Sequence, residues 1–292
     1  MSFSKRNLIQ VLFSWICILM FYIFACDISK NVIRIFNDNS LSENLLNKYE
    51  NILLGFAGIM TAAIIVIMRF IKGDRKFLRF NKFKPSFLIK PLFIYLMLSG
   101  VSVLVSFYGY YRKSFYYVYK LFTEAEKLYF TDIFIKSKMF DFYFILNFVS
   151  LIILIPIYEE IIFRGIIYND IKELFSIKSG IIVSGIIFGI LHFDDGPILL
   201  IIFTIIVTTI YGFFAAYFYE KTKTLWAPII LHGLIHFFSL FPEFIFKWQI
   251  QIFCWFAFMI TGVIIIIIES LKYLKRRKQN AIQTNSLPHV QE

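Results

Sequence analysis

Residues 142–165 read FYFILNFVSLIILIPIYEEIIFRG. The run is apolar without alternation, and near its end it carries Glu159, Glu160 and Arg164. A half-buried strand would alternate. A continuous apolar run of about 20 residues is instead long enough to cross a bilayer as a helix. Further apolar blocks cover 7–26, 51–71, 91–110, 180–193, 197–219, 226–246 and 250–268. The fold class is therefore all-α, a polytopic membrane protein of about eight transmembrane helices. The fifth block is short unless its helix starts near Ile171.

The composition agrees. Of 292 residues 59% are hydrophobic and 20% aromatic, with 37 Phe, and the mean hydropathy is +0.73. A soluble globule of this size has nowhere to bury that surface, and a disordered chain does not contain it. Net charge is +11. Basic loops facing the cytoplasm and anionic headgroups explain that excess, and nucleic acid is not an expected partner. The termini and the loops 72–90, 169–179 and 220–225 hold the larger share of Lys and Arg. Both termini are thus expected on the cytoplasmic side of a bacterial cell membrane. The first block starts basic but has no small-residue cleavage site, so it reads as an uncleaved anchor. Cys17, Cys26 and Cys254 lie in or beside apolar blocks and define neither a disulfide framework nor a metal site.

Three parts follow. Residues 1–141 hold N-terminal transmembrane helices and basic, aromatic loops such as Lys76-Phe77-Leu78-Arg79-Phe80-Asn81-Lys82-Phe83-Lys84. Residues 142–246 hold the core with the chemistry. Residues 247–292 hold a last transmembrane helix and a polar, basic tail, expected to be loose.

Ionisable groups inside apolar blocks are costly and mark function. Glu160 and Arg164 stand i,i+4 on a helix and can pair. A lock between helices is the alternative reading, and it explains Glu160 better than Glu159. Glu159 points about 100° away with no local cation, so it is free to face a cavity as a general base. His192 ends the fifth block four residues after Phe188, on the same helix face. His232 and His236 stand i,i+4 in the seventh block, a spacing that suits a shared metal or water. Gly233 replaces the Glu of an H-E-x-x-H motif, so a base must come from another helix. A buried carboxylate among imidazoles can hold and activate water.

The ordered set E-E-x-x-x-R (159–164), F-x-x-x-H (188–192) and H-x-x-x-H (232–236) resembles the CPBP (Abi) intramembrane proteases, over about residues 142–245. These include CAAX prenyl endopeptidases and bacteriocin-processing or self-immunity proteins. The resemblance implies a roughly eight-span helical fold with a cavity open to the cytoplasm. It also implies peptide hydrolysis, with Glu159 activating water and Glu160 and Arg164 as the supporting pair. His192 and His232 would position the water or a metal. His236 stands where family members usually carry Asn. Both a metalloprotease with Zn2+ on His192, His232 and His236 and a metal-independent glutamate protease are compatible with the resemblance. Expected partners are a peptide or membrane-protein substrate and a bilayer with anionic headgroups. A non-catalytic scaffold or immunity protein on the same fold is the alternative, and a transporter or proton relay is a third reading.

One spacing resists simple antiparallel spans. They would leave His192 near one membrane face and His232 near the other. The sixth span would then have to start at depth or run tilted, with Asp194 and Asp195 lining a cavity.

Overall fold

The computed structural model describes residues 15–16, 20, 42–71, 78–111, 142–192, 198–245 and 248–285. Side chains are described at 15–16, 20, 52–71, 78–101, 145–192, 198, 201–239 and 253–279. The first apolar block beyond those few positions, Cys17, Cys26, loop 112–141, Asp194, Asp195 and His289 lie outside the described residues.

The described chain is helical. We number α1 (Ser42–Ile71), α2 (Ile89–Tyr111, entered through a 3-10 turn at Pro85–Leu88), α3 (142–174), α4 (Ile177–Ile190), α5 (Ile198–Thr222), α6 (Trp226–Ile245) and α7 (Trp248–Asn285). Among the described residues four stretches are long and apolar enough to cross a membrane: Ile52–Ile71, Ile145–Leu174, Ile201–Thr222 and Phe253–Gln279. Pro85–Val101, Ile177–Ile190 and Trp226–Ser239 are shorter apolar helices. The protein is an all-α, integral membrane protein. Among the described residues the only extended pairing is an isolated bridge between Phe80 and Thr224.

Several boundaries differ from those read in the sequence. α1 begins within the expected loop 27–50, and α7 runs to Asn285, into the expected loose tail. The fifth block does not start near Ile171, because that residue still belongs to α3. The chain turns at Leu174–Ser176, and Ser176 caps α4 by accepting from the Ser179 amide at 3.1 Å.

α3 is not uniform. Ser150–Leu154 and Ile161–Tyr168 are π-helical, on either side of the α-helical Ile155–Glu160. Pro156 has no N–H to offer the Ile152 carbonyl four residues back, so the first π stretch has a local cause. In the second, the Asn169 side-chain amide donates to the Arg164 carbonyl (3.2 Å), the Gly165 carbonyl (2.9 Å) and the Tyr219 hydroxyl (3.0 Å). At its lower end α3 is tied to α1 by a buried ion pair, Arg69 Nη2–Asp170 Oδ2 at 2.5 Å. The Trp15 indole also donates to Asp170, at 3.1 Å.

Two close approaches set the crossings that build the site. A Cβ at Gly212 on α5 would lie 2.6 Å from the Gly185 Cα on α4. A Cβ at Gly233 on α6 would lie 2.6 Å from the Ile152 carbonyl oxygen, the one that Pro156 leaves without its usual donor. Small residues at such points let backbones meet.

The spacing problem is eased at α6; residues 193–197, just before the sixth span, lie outside the described residues. Tyr211 and His232 lie side by side, their ring centroids 4.9 Å apart. Tyr211 is about 16 Å from the end of α5, yet His232 is only about 9 Å from the start of α6. α6 therefore begins inboard of the end of α5. Thr224 and Leu225, which lead into it, are fully buried.

Gly212→Ala and Gly233→Ala are expected to destabilise the protein by about 1–3 kcal/mol each, because rigid backbone must move. Thermal denaturation in detergent measures this.

Candidate active site

The site is assembled where α3, α4, α5 and α6 meet. Glu160 and Arg164 are both fully buried on α3. Arg164 Nη1 lies 3.0 Å from Glu160 Oε1 and 2.9 Å from Oε2. Arg164 Nη2 donates to the Gly212 carbonyl at 3.3 Å, which ties the pair to the α4–α5 crossing. The guanidinium also sits 4.5 Å from the Phe188 ring centre and 5.4 Å from that of Tyr211. Such stacking offsets part of the lost hydration.

Glu160 Oε1 accepts two further bonds. The Tyr211 hydroxyl donates from α5 at 2.9 Å, and His232 Nδ1 donates from α6 at 3.0 Å. A carboxylate only accepts, so the proton of the His232–Glu160 contact is on Nδ1. In the neutral imidazole His232 Nε2 then carries a lone pair. The same logic applies on α4. His192 Nδ1 lies 2.7 Å from the Phe188 carbonyl, to which it must donate, so His192 Nε2 is its lone-pair nitrogen.

Both Nε2 atoms face Glu159. His192 Nε2 and His232 Nε2 are each 3.9 Å from Glu159 Oε2, too far for a direct hydrogen bond. That oxygen is buried and has no hydrogen-bond partner among the described residues. Oε1 accepts from the Tyr158 hydroxyl at 3.3 Å. Three atoms thus point to one region without being consumed by one another. His236 Nε2 stands 3.0 Å from His232 Nε2, with the rings stacked at 4.8 Å. Since His232 Nε2 accepts, His236 Nε2–H donates, which makes His236 the N–H donor beside this region.

All six residues named from the sequence are therefore placed together: Glu159, Glu160, Arg164, His192, His232 and His236. Tyr211 was missed, as were the Phe188 ring against Arg164 and the Gly212 carbonyl. The Phe188 and His192 rings stack at 4.3 Å, as their i,i+4 spacing allows. Tyr211 has no local signal in a chain with 17 Tyr.

Three imidazoles and a carboxylate are a donor set that zinc accepts. Their placement does not fit one. Among the described residues no group of three or more His, Cys, Asp or Glu is arranged to hold a metal ion. His232 Nε2 is engaged with His236, and the separations of 3.0 and 3.9 Å are uneven for a tetrahedral shell.

Comparison with known proteins leads to the same part of the chain. Residues 141–238 match the family model of the type II CAAX prenyl endopeptidase Rce1-like proteins. Over 81 residues the chain is 38% identical to the Bacillus subtilis (strain 168) protein named "Putative membrane peptidase YdiL". That stretch is 28% of this chain and 30% of the relative, so the likeness spans under a third of the relative's length. No solved structure matches the chain. Residues 141–238 are thus similar to this endopeptidase family, and they contain Glu159–Arg164, Phe188–His192 and His232–His236.

Arg164→Ala is expected to cost about 3–5 kcal/mol, since it leaves Glu160 as an uncompensated buried charge. Tyr211→Phe removes one bond to that carboxylate and is expected to cost about 1.5–3 kcal/mol. Unfolding of the detergent-purified variants measures both, and Arg164 should be the costlier loss.

Proposed function

We propose that the chain is an intramembrane endopeptidase that hydrolyses a peptide bond in a membrane-associated, lipidated or amphipathic peptide. The observation that carries this reading is Glu159 Oε2. It is buried, has no hydrogen-bond partner among the described residues, and is approached equally by the lone-pair nitrogens of His192 and His232. A helix lock has no use for such an atom. Glu160 and Arg164 would serve a non-catalytic scaffold as well as an enzyme, but Glu159 adds nothing to that lock.

In the reaction, a substrate water directs one O–H to Glu159 and the other to His192 Nε2, while His232 Nε2 holds the His236 N–H. Glu159 takes one proton as the water oxygen attacks the scissile carbonyl carbon. Both Nδ1–H groups are committed, to Phe188 and to Glu160, so the developing oxyanion is met by His236 Nε2–H, which leaves His232 to do so. The C–N bond then breaks and Glu159 returns its proton to the departing amine. Glu160 remains a carboxylate and Arg164 remains its counter-ion, so neither moves a proton. An imidazole N–H at position 236 supplies the donor that an Asn amide would supply.

A bacterial peptide-maturation, bacteriocin-processing or immunity role fits a substrate of this kind. The basic ends of α3, α5 and α7 lie on the side that the positive-inside bias assigns to the cytoplasm.

Glu159→Gln is expected to lower cleavage of a membrane-anchored reporter peptide by about 10²–10⁴-fold while the protein still accumulates folded in membranes. Full cleavage by that variant would refute the proposal. Elemental analysis of purified protein beside His236→Asn tests the metal question. Stoichiometric zinc that the variant loses would show that the imidazoles regroup around an ion.

A further inference from the structure

The strand-like segment leading into α2 is the most unusual piece of the described surface. Residues 78–84 run extended beneath the turn between α5 and α6. The Leu225 amide donates to the Arg79 carbonyl at 2.7 Å, and Phe80 forms its bridge to Thr224. The Asn81 side chain donates to the Lys223 carbonyl at 2.8 Å. Lys223 is held at φ 55°, a left-handed conformation that a lysine does not take without support. The segment thus braces the strained turn from which α6 departs inboard.

Its two faces differ. Leu78, Phe83 and Leu88 pack against the core. Phe80 and Phe87 are each 46% exposed, and Trp226, whose ring lies tilted against Phe80 at 5.2 Å, is 44% exposed. Lys82, Lys84 and Lys221 are exposed on the same end of the molecule. Lys221 reaches over the Phe87 and Tyr217 rings, 5.6 Å from each centre. Nearby cations are already matched: Lys90 pairs with Glu269 at 2.5 Å, and Lys223 pairs with Glu220. No carboxylate among the described residues pairs with Lys82, Lys84 or Lys221. Half-exposed aromatic rings with unmatched lysines between them are the chemistry of an anionic membrane surface.

We propose that segment 78–90 with Trp226 and Lys221 is a docking surface for anionic phospholipid headgroups, and that its occupancy steadies the start of α6. Because His232 lies about two turns further along α6, lipid contact at the surface reaches the site through one rigid element. This surface does not depend on the endopeptidase reading, and its test does not use cleavage.

The full-length protein is purified into nanodiscs of phosphatidylcholine with or without phosphatidylglycerol. Two readouts are taken: phosphatidylglycerol retained in native mass spectrometry, and amide exchange over 224–230. Wild type should retain phosphatidylglycerol, and exchange over 224–230 should slow severalfold when it is present. The triple variant Lys82→Gln, Lys84→Gln, Lys221→Gln should lose on the order of 100-fold in retention, at about fivefold per lysine. Asn81→Ala should retain the lipid and lose the slowing of exchange. Equal retention by the triple variant would overturn the surface. Equal exchange in the two lipids would overturn the link to α6. The same protection from inorganic phosphate alone would overturn the assignment to lipid.

Discussion

Glu160 is a carboxylate with no exposed surface, and three helices place donors on it. Arg164 comes from its own helix, Tyr211 from α5 and His232 from α6. Burying two opposite charges costs several kcal/mol before any attraction is counted, and only near-complete hydrogen bonding offsets it. That requirement is strict about position, so it fixes the mutual rotation of α3, α5 and α6. It also reaches the chemistry. Because Glu160 can only accept, it commits the Nδ1 proton of His232, and the opposite nitrogen is turned toward Glu159. One constraint holds the bundle together and selects the tautomer of a reactive group.

The two adjacent glutamates therefore live in different environments although they share a helix turn. Three donors converge on Glu160 Oε1, and its Oε2 lies 2.9 Å from Arg164 Nη1. Glu159 has one bond, from Tyr158, and an oxygen aimed at two imidazoles. The surroundings are aromatic: Phe188 touches Arg164, His192 and Tyr211 with one ring. In such a setting each polar interaction acts more strongly than it would in water. The π-helical stretches on either side of Ile155–Glu160 change the helix register close to these residues, a usual place for such irregularities.

The helices were legible because each is an apolar run with polar ends, a signal carried by every residue. The Glu160–Arg164 pair was legible because it obeys a local spacing. What was hidden depended on distant parts of the chain. Tyr211 resembles any other tyrosine of an apolar block until α5 crosses α4 at Gly212. Asp170 read as a loop residue, and its partners Arg69 and Trp15 lie 101 and 155 positions earlier. The apparent conflict between His192 and His232 assumed that every helix starts at the same level. The start of α6 is instead set by residues 78–84, which pack beneath it and have no periodic relation to it.

The ion pair at the centre also bears on biosynthesis. An arginine entering the bilayer alone costs about 2.5–3.5 kcal/mol at the middle of a helix. Here its counter-ion is one turn away on the same segment, so α3 carries its own neutralisation as it leaves the translocon. Tyr211 and His232 belong to segments made later. The charged heart of the protein can thus enter lipid as a self-contained unit, and the arrival of α5 and α6 adds two more donors to its carboxylate.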